Sequence, residues 1–171
     1  MLQDLKADNI LVEEFGHCKI TDFGISKRTD DINMIGAYTS MQGSVFWMAP
    51  EVINSQKKGY NSKIDIWSVG CVVFEMWTGE RPWSGQEAVA VLLQVCITFN
   101  QPSRLSLLNP PQLYQSKVGP PLPPDVVLSP QADDLRKCCF AMNPEERPTA
   151  GELRQHSYLM LPSGWEFTSY S

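Results

Sequence analysis

A mainly α-helical fold with one small β-hairpin near its start is what this sequence predicts, on three observations. Residues 62–78 form an almost unbroken apolar helical stretch, bounded by a serine that suits an N-cap and by Gly79. Two later helix starts carry signatures of their own, Ser129-Pro130 and the Thr149-x-x-Glu152 capping box. Against these stand two short β-type runs, 10–12 and 18–21, separated by a glycine-containing turn.

In order along the chain, the two β-type runs flank residues 13–17, where Gly16 can take the positive φ of a tight turn. The hairpin would hold Asn9 at one end and Asp22 at the other, so that residues far apart in sequence converge. Residues 25–38 are polar and without sustained period, which predicts a loop running on through Thr39 and Ser40. In the helix over 62–78, Ser62 is the expected N-cap and Asp65, three residues on, suits the positive end of the helix dipole. Its apolar residues, Ile64, Ile66, Trp67, Val69, Val72, Phe74, Met76 and Trp77 among them, leave almost no polar face, so burial all round is expected.

Residues 81–83 read as a loop and 86–98 as a second helix with Ala88, Val91, Leu92 and Val95 inward. Over 99–124 the pattern dissolves into Pro, Ser, Gln and Asn, an irregular insert of unusual length for a compact domain. A helix then runs from Ser129 through Leu135, Cys138 and Phe140 and is closed by Asn143-Pro144. The last helix is expected from Thr149 to about Tyr158. A tail over 161–171, with Trp165 and Phe167, is expected to pack back at a place the sequence does not specify. The division is one domain over 1–160 and this tail.

With 171 residues and 43% hydrophobic content the chain can bury one real core. A net charge of -5 with scattered Lys and Arg excludes a broad electrostatic grip on nucleic acid or on an anionic membrane. Five cysteines, Cys18, Cys71, Cys96, Cys138 and Cys139, are odd in number and form no C-x-x-C pair, which predicts reduced buried thiols. No leader opens the chain, and no apolar run approaches the ~20 residues of a membrane span, so the expected location is cytoplasmic.

Chemistry is carried by a set of short motifs in fixed order. Asp4-Leu5-Lys6-Ala7-Asp8-Asn9 is followed by Asp22-Phe23-Gly24, then by Ala49-Pro50-Glu51, Asp65-Ile66-Trp67-Ser68-Val69-Gly70 and a late Arg147. Each alone is weak. Together they resemble the eukaryotic protein kinases, whose catalytic loop reads H-R-D-L-x-x-x-N, whose metal turn reads D-F-G and whose activation segment ends A-P-E. The resemblance covers residues 2 to about 158 except for 99–112. It implies a protein-kinase-like C-terminal lobe that transfers the γ-phosphoryl of ATP to a protein Ser or Thr hydroxyl.

By resemblance, Asp4 is the catalytic base and Lys6 neutralises charge on the transferred group. Asn9 and Asp22 hold Mg2+ with hard oxygen donors. Thr39 and Ser40 are candidate phosphorylation sites, and Ser44 contacts Asp4 and Lys6 from the substrate-binding loop. Glu51 and Arg147 form a buried ion pair that fixes the activation segment. Asp65 either holds the catalytic loop backbone or caps its helix. The run from Ser40 to Glu51, with Asp65-Ile66-Trp67-Ser68, looks most like a fungal mitogen-activated kinase kinase kinase of the cell-wall-integrity type, implying a downstream kinase kinase as protein substrate.

Departures from the pattern are expectations too. Leu2 and Gln3 stand where the family has His and Arg, and no glycine-rich loop or V-A-I-K strand precedes Asp4. The expected unit is therefore a C-terminal lobe lacking the N-terminal lobe, with part of its central helix exposed. The alternative to catalysis is a non-catalytic interaction fragment that keeps only the substrate-docking lobe. Gln3 cannot form a bidentate pair with phosphate, so phosphate at Thr39 or Ser40 is not expected to order the loop.

Overall fold

The helix with no polar face becomes the centre of the molecule. A computed structural model of the chain describes residues 5–21, 45–53, 61–91 and 119–168. In it the β-type runs form β1 (Ile10–Val12) and β2 (Cys18–Ile20), paired antiparallel with Ile10 opposite Ile20 and Val12 opposite Cys18. Gly16 closes the turn at φ +78°, donating its N–H to the Glu13 carbonyl at 2.8 Å. Both strands are largely exposed. Cys18 is therefore exposed, against the expectation of buried thiols, because β2 has no element packed over it. Cys71 and Cys139 are buried as expected, Cys138 is half-buried, and Cys96 lies outside the described residues.

The short helix α1 (Pro50–Ile53) precedes the central helix α2 (Lys63–Thr78). Asn61, not Ser62, caps α2: its Oδ1 accepts the Lys63 N–H at 3.0 Å, while the Ser62 side chain makes no capping bond. The reason is local, since Ser62 already has helical backbone angles (φ -62°, ψ -5°) and an N-cap residue must stand outside them. Gly79 ends α2 in the left-handed conformation, φ 70°, with its N–H on the Glu75 carbonyl at 2.8 Å.

Burial of α2 holds for Ile64, Ile66, Trp67, Gly70, Cys71, Val72 and Phe74 but fails at Met76, which is 73% exposed. The last turn emerges from the body and presents apolar surface. Elsewhere α2 is sandwiched. One face meets Ala49, Trp83, Val91 and Phe140, with Trp67 edge-on to Phe140 at 5.0 Å between centroids. The other face meets Leu135, Cys139 and Leu153. Gly70 permits the close approach, because a Cβ there would lie 2.7 Å from the Cys139 Cβ.

Helix α3 (Pro130–Cys139) starts as expected, with Ser129 Oγ accepting the Ala132 N–H at 3.2 Å. It stops before the expected Asn143-Pro144, which instead opens a 3₁₀ turn, Pro144–Glu146, through Asn143 Oδ1 and the Glu145 N–H at 3.2 Å. Helix α4 (Ala150–Leu153) has the complete capping box, Thr149 Oγ1 accepting the Glu152 N–H at 3.2 Å and Glu152 Oε2 accepting the Thr149 N–H at 2.7 Å. It is shorter than expected: a 3₁₀ turn, Ser157–Leu159, capped by His156, takes over its end.

Of the expected helix over 86–98, residues 88–91 are helical with Val91 buried, and the rest lies outside the described residues. So do residues 99–118 of the insert; its end, 119–124, is irregular as expected. The tail does pack back. The Phe167 ring sits over the hairpin turn, where a Cβ on Gly16 would come within 2.6 Å of it.

Candidate functional site

Leu5 is buried and roots the loop that carries the candidate catalytic residues. Lys6 follows in extended backbone, half-buried, and its carbonyl accepts the Asn9 N–H at 3.0 Å across the 3₁₀ turn Ala7–Asn9. Asn9 itself is 7% exposed, a buried carboxamide at the mouth of the hairpin. From the far strand, Thr21 donates its N–H to the Asn9 carbonyl at 2.8 Å and its Oγ1 at 3.3 Å. These bonds extend the ladder one step past the strands and bring position 21 against position 9. Asp4, Asp22, Thr39, Ser40 and Ser44 lie outside the described residues.

The expected Glu51–Arg147 pair is present and bidentate. Nη1 reaches Glu51 Oε1 at 2.6 Å and Nη2 reaches Oε2 at 2.9 Å. Arg147 is 1% exposed, and its remaining contacts satisfy the buried charge: Nε donates to the Ala141 carbonyl at 2.8 Å, and Nη1 also to the Lys63 carbonyl at 3.1 Å. Trp67 lies beneath the guanidinium at 5.1 Å. The pair ties the start of α1 to the start of α2 and to the turn after α3. Asp65 sits half-buried in the first turn of α2, whose N-terminal end is capped by Asn61.

Sequence reasoning missed how the 3₁₀ turn Val45–Trp47 is held. Ser68 Oγ donates to the Trp47 carbonyl at 2.9 Å, Cys71 Sγ faces the Phe46 carbonyl at 3.8 Å, and the Trp47 indole N–H donates to Glu75 Oε1. Arg81 lies over the Phe46 ring at 3.7 Å. The signal in the sequence was the pair of polar residues seven apart, Ser68 and Glu75, within the otherwise apolar run 66–77. Glu75 has its pKa raised, first by burial and then by the negative charge of Asp8, with the Trp47 hydrogen bond opposing.

One other cluster invites a reading. Asp134, Cys138 and His156 bring candidate ligand atoms within 4.8 Å of one another. His156 Nδ1 accepts the Tyr158 N–H at 3.2 Å, so the ring proton sits on Nε2, 3.1 Å from Asp134 Oδ2. The ring is a satisfied cap with no lone pair turned toward the cluster.

The described part of the site is a hairpin that sets a buried asparagine beside its returning strand, with a buried Arg–Glu pair that anchors a distant segment to the central helix. The chain belongs to the protein kinase domain family, whose sequence profile matches residues 1–159. It is 42% identical over 167 residues to MAP kinase kinase kinase mkh1 of Schizosaccharomyces pombe, covering 96% of this chain and 13% of that protein. Over 169 residues it is 41% identical to serine/threonine-protein kinase BCK1/SLK1/SSP31 of Saccharomyces cerevisiae, covering 98% of this chain and 10% of that protein. With mitogen-activated protein kinase kinase kinase 2 of Arabidopsis thaliana it shares 38% over 160 residues, 93% of this chain and 21% of that protein. The chain thus spans a small part of the length of these curated relatives. No helix among the described residues is long and apolar enough to cross a membrane.

Proposed function

We propose that these residues are the substrate-facing lobe of a cytoplasmic Ser/Thr protein kinase of the mitogen-activated kinase kinase kinase type, acting on a downstream kinase kinase. The observation that carries this reading is the pair of hydrogen bonds that Thr21 donates to the Asn9 carbonyl, which sets position 9 beside the residue that precedes Asp22. A buried carboxamide supplies a hard oxygen of the kind that suits Mg2+, and Asp22, which follows Thr21 directly in the sequence, would supply a second. Asn9 and Asp22 would hold that ion, and MgATP supplies the phosphoryl group when bound. Asp4 would accept the proton of the substrate hydroxyl and orient it, and Lys6, two residues on, would offset charge on the group transferred. Thr39 and Ser40 are proposed sites of phosphorylation. Ser44 is proposed to contact Asp4 and Lys6, and Asp65 to hold the catalytic loop.

The test is phosphate transfer from MgATP to a kinase kinase by the longest natural form of the protein. Transfer is expected, and Asp4→Asn should abolish it while leaving the fold intact by circular dichroism. Turnover retained in Asp4→Asn would remove Asp4 as the base. No transfer, together with no MgATP-induced rise in melting temperature, would overturn the catalytic reading in favour of a docking lobe.

A further inference from the structure

Glycines of positive φ serve two ends in this chain. At Gly79, Gly85 and Gly164 a Cβ would meet nothing within 4 Å, so the glycine answers to the backbone alone. At Gly119 and Gly16 a phenylalanine ring stands where the Cβ would be. For Gly119 that ring is Phe140 of the core, but for Gly16 it is Phe167, brought from the tail. The missing side chain at the hairpin tip is therefore a seat for an aromatic ring.

The tail is shaped to deliver that ring. It leaves the body at Tyr158, whose hydroxyl accepts the Trp77 indole N–H at 2.8 Å, with the two rings edge-on at 5.8 Å between centroids. A tight turn follows, in which the Trp165 N–H reaches the Pro162 carbonyl at 3.1 Å and Gly164 takes φ +79°. Of residues 160–168, Phe167 alone is not exposed. The tail thus runs as a strap from the last turn of α2 to the tip of the hairpin.

A two-stranded hairpin with exposed faces is marginal in water by itself, and this one has three residue pairs. Its ladder joins the tip under Phe167 to the base, where Thr21 bonds the Asn9 carbonyl. Opening at the tip therefore reaches position 9. We propose that the tail is a strap for the metal site, with Phe167 a positioning residue that holds Asn9 and position 21 through the hairpin and touches neither ion nor nucleotide. The inference rests on the kinase reading above, in which Asn9 and Asp22 hold Mg2+.

The test uses the longest natural form of the protein. Mg2+ is titrated at a saturating, non-hydrolysable ATP analogue, and binding is read as slowed amide exchange at Thr21; exchange without ligand reports how far the hairpin opens. An ion that binds only the closed hairpin loses apparent affinity in proportion to the fraction closed. Phe167→Ala, which leaves the hairpin about half closed, should weaken Mg2+ about twofold, and Gly16→Ala, which adds a clash and a strained φ, about fivefold or more. Phe167→Tyr keeps the ring and should match the unaltered protein, as should Leu161→Ala at an exposed tail position. In phosphate transfer, excess Mg2+ should restore the rate of Phe167→Ala, and KM for the protein substrate should stay unchanged.

Faster exchange at Thr21 in Phe167→Ala with unaltered Mg2+ affinity would overturn the inference alone, as would a loss of rate that excess Mg2+ does not restore. If Mg2+ and the analogue fail to slow exchange in the unaltered protein, the Mg2+ site falls, and the strap's role falls with it.

Discussion

Arg147 is the residue on which most of the described structure converges. Its guanidinium reaches Glu51 from one segment, Lys63 from a second and Ala141 from a third. Removing either partner leaves an uncompensated buried charge, so Arg147→Ala and Glu51→Ala should each cost ~3–5 kcal/mol in urea or guanidinium unfolding. Arg147→Lys should recover little, because an ammonium cannot make the two parallel bonds of the fork. The double change Glu51→Met/Arg147→Met should cost less than the two singles added. This pair was legible only through the family pattern, since 96 residues separate its members. Glu75 went unread, because nothing local ties it to its partner Trp47, 28 residues earlier. Its raised pKa gives a pH prediction. The folded state holds its proton more tightly than the unfolded chain, so the stability it contributes is present below the ordinary 4.5 and lost as pH rises through the higher folded value. Glu75→Gln should flatten stability over that window, read as melting temperature against pH in the two proteins.

At the scale of elements, starts were read better than stops. A helix start is written in one or two side chains that bond the nearest free N–H groups, as at Ser129 and Thr149, so local sequence suffices. Stops depend on what the next segment offers. Asn143 and His156 both pull their own N–H partners into 3₁₀ turns, which ends α3 and α4 earlier than their apolar pattern suggests. The start of α2 went astray by one residue because Asn61 and Ser62 are both good caps and only the backbone decides between them. Asn61→Ala should therefore destabilise by ~1 kcal/mol, whereas Ser62→Ala should fall within ~0.5 kcal/mol of the unaltered protein, both read by urea unfolding. The opposite ranking would return the cap to Ser62.

Across the described residues, α2 supplies the axis to which Arg147 and the turn Val45–Trp47 are fastened. The hairpin has three residue pairs and exposed faces, with Phe15 75% and Leu11 54% exposed, so it gains little from packing of its own. The contacts that steady it include the Thr21–Asn9 bonds at its base and the Phe167 ring over Gly16 at its tip. The sequence foretold a tail that folds back, but not where, because one phenylalanine and one glycine 151 positions away carry no local signal for each other. Phe167→Ala should loosen the hairpin and leave the core alone, raising amide exchange at Glu13, Gly16 and Thr21 about tenfold, or ~1.4 kcal/mol, with α2 unchanged. Gly16→Ala should do more, since the new methyl meets both the ring, 2.6 Å away, and the strain of φ +78°. In Gly16→Ala/Phe167→Ala the clash disappears and only the backbone term of ~1–2 kcal/mol should remain. Exchange at Thr21 that is identical in Phe167→Ala and the unaltered chain would mean that the tail rests on the hairpin without holding it, and that the base contacts alone keep position 21 beside Asn9.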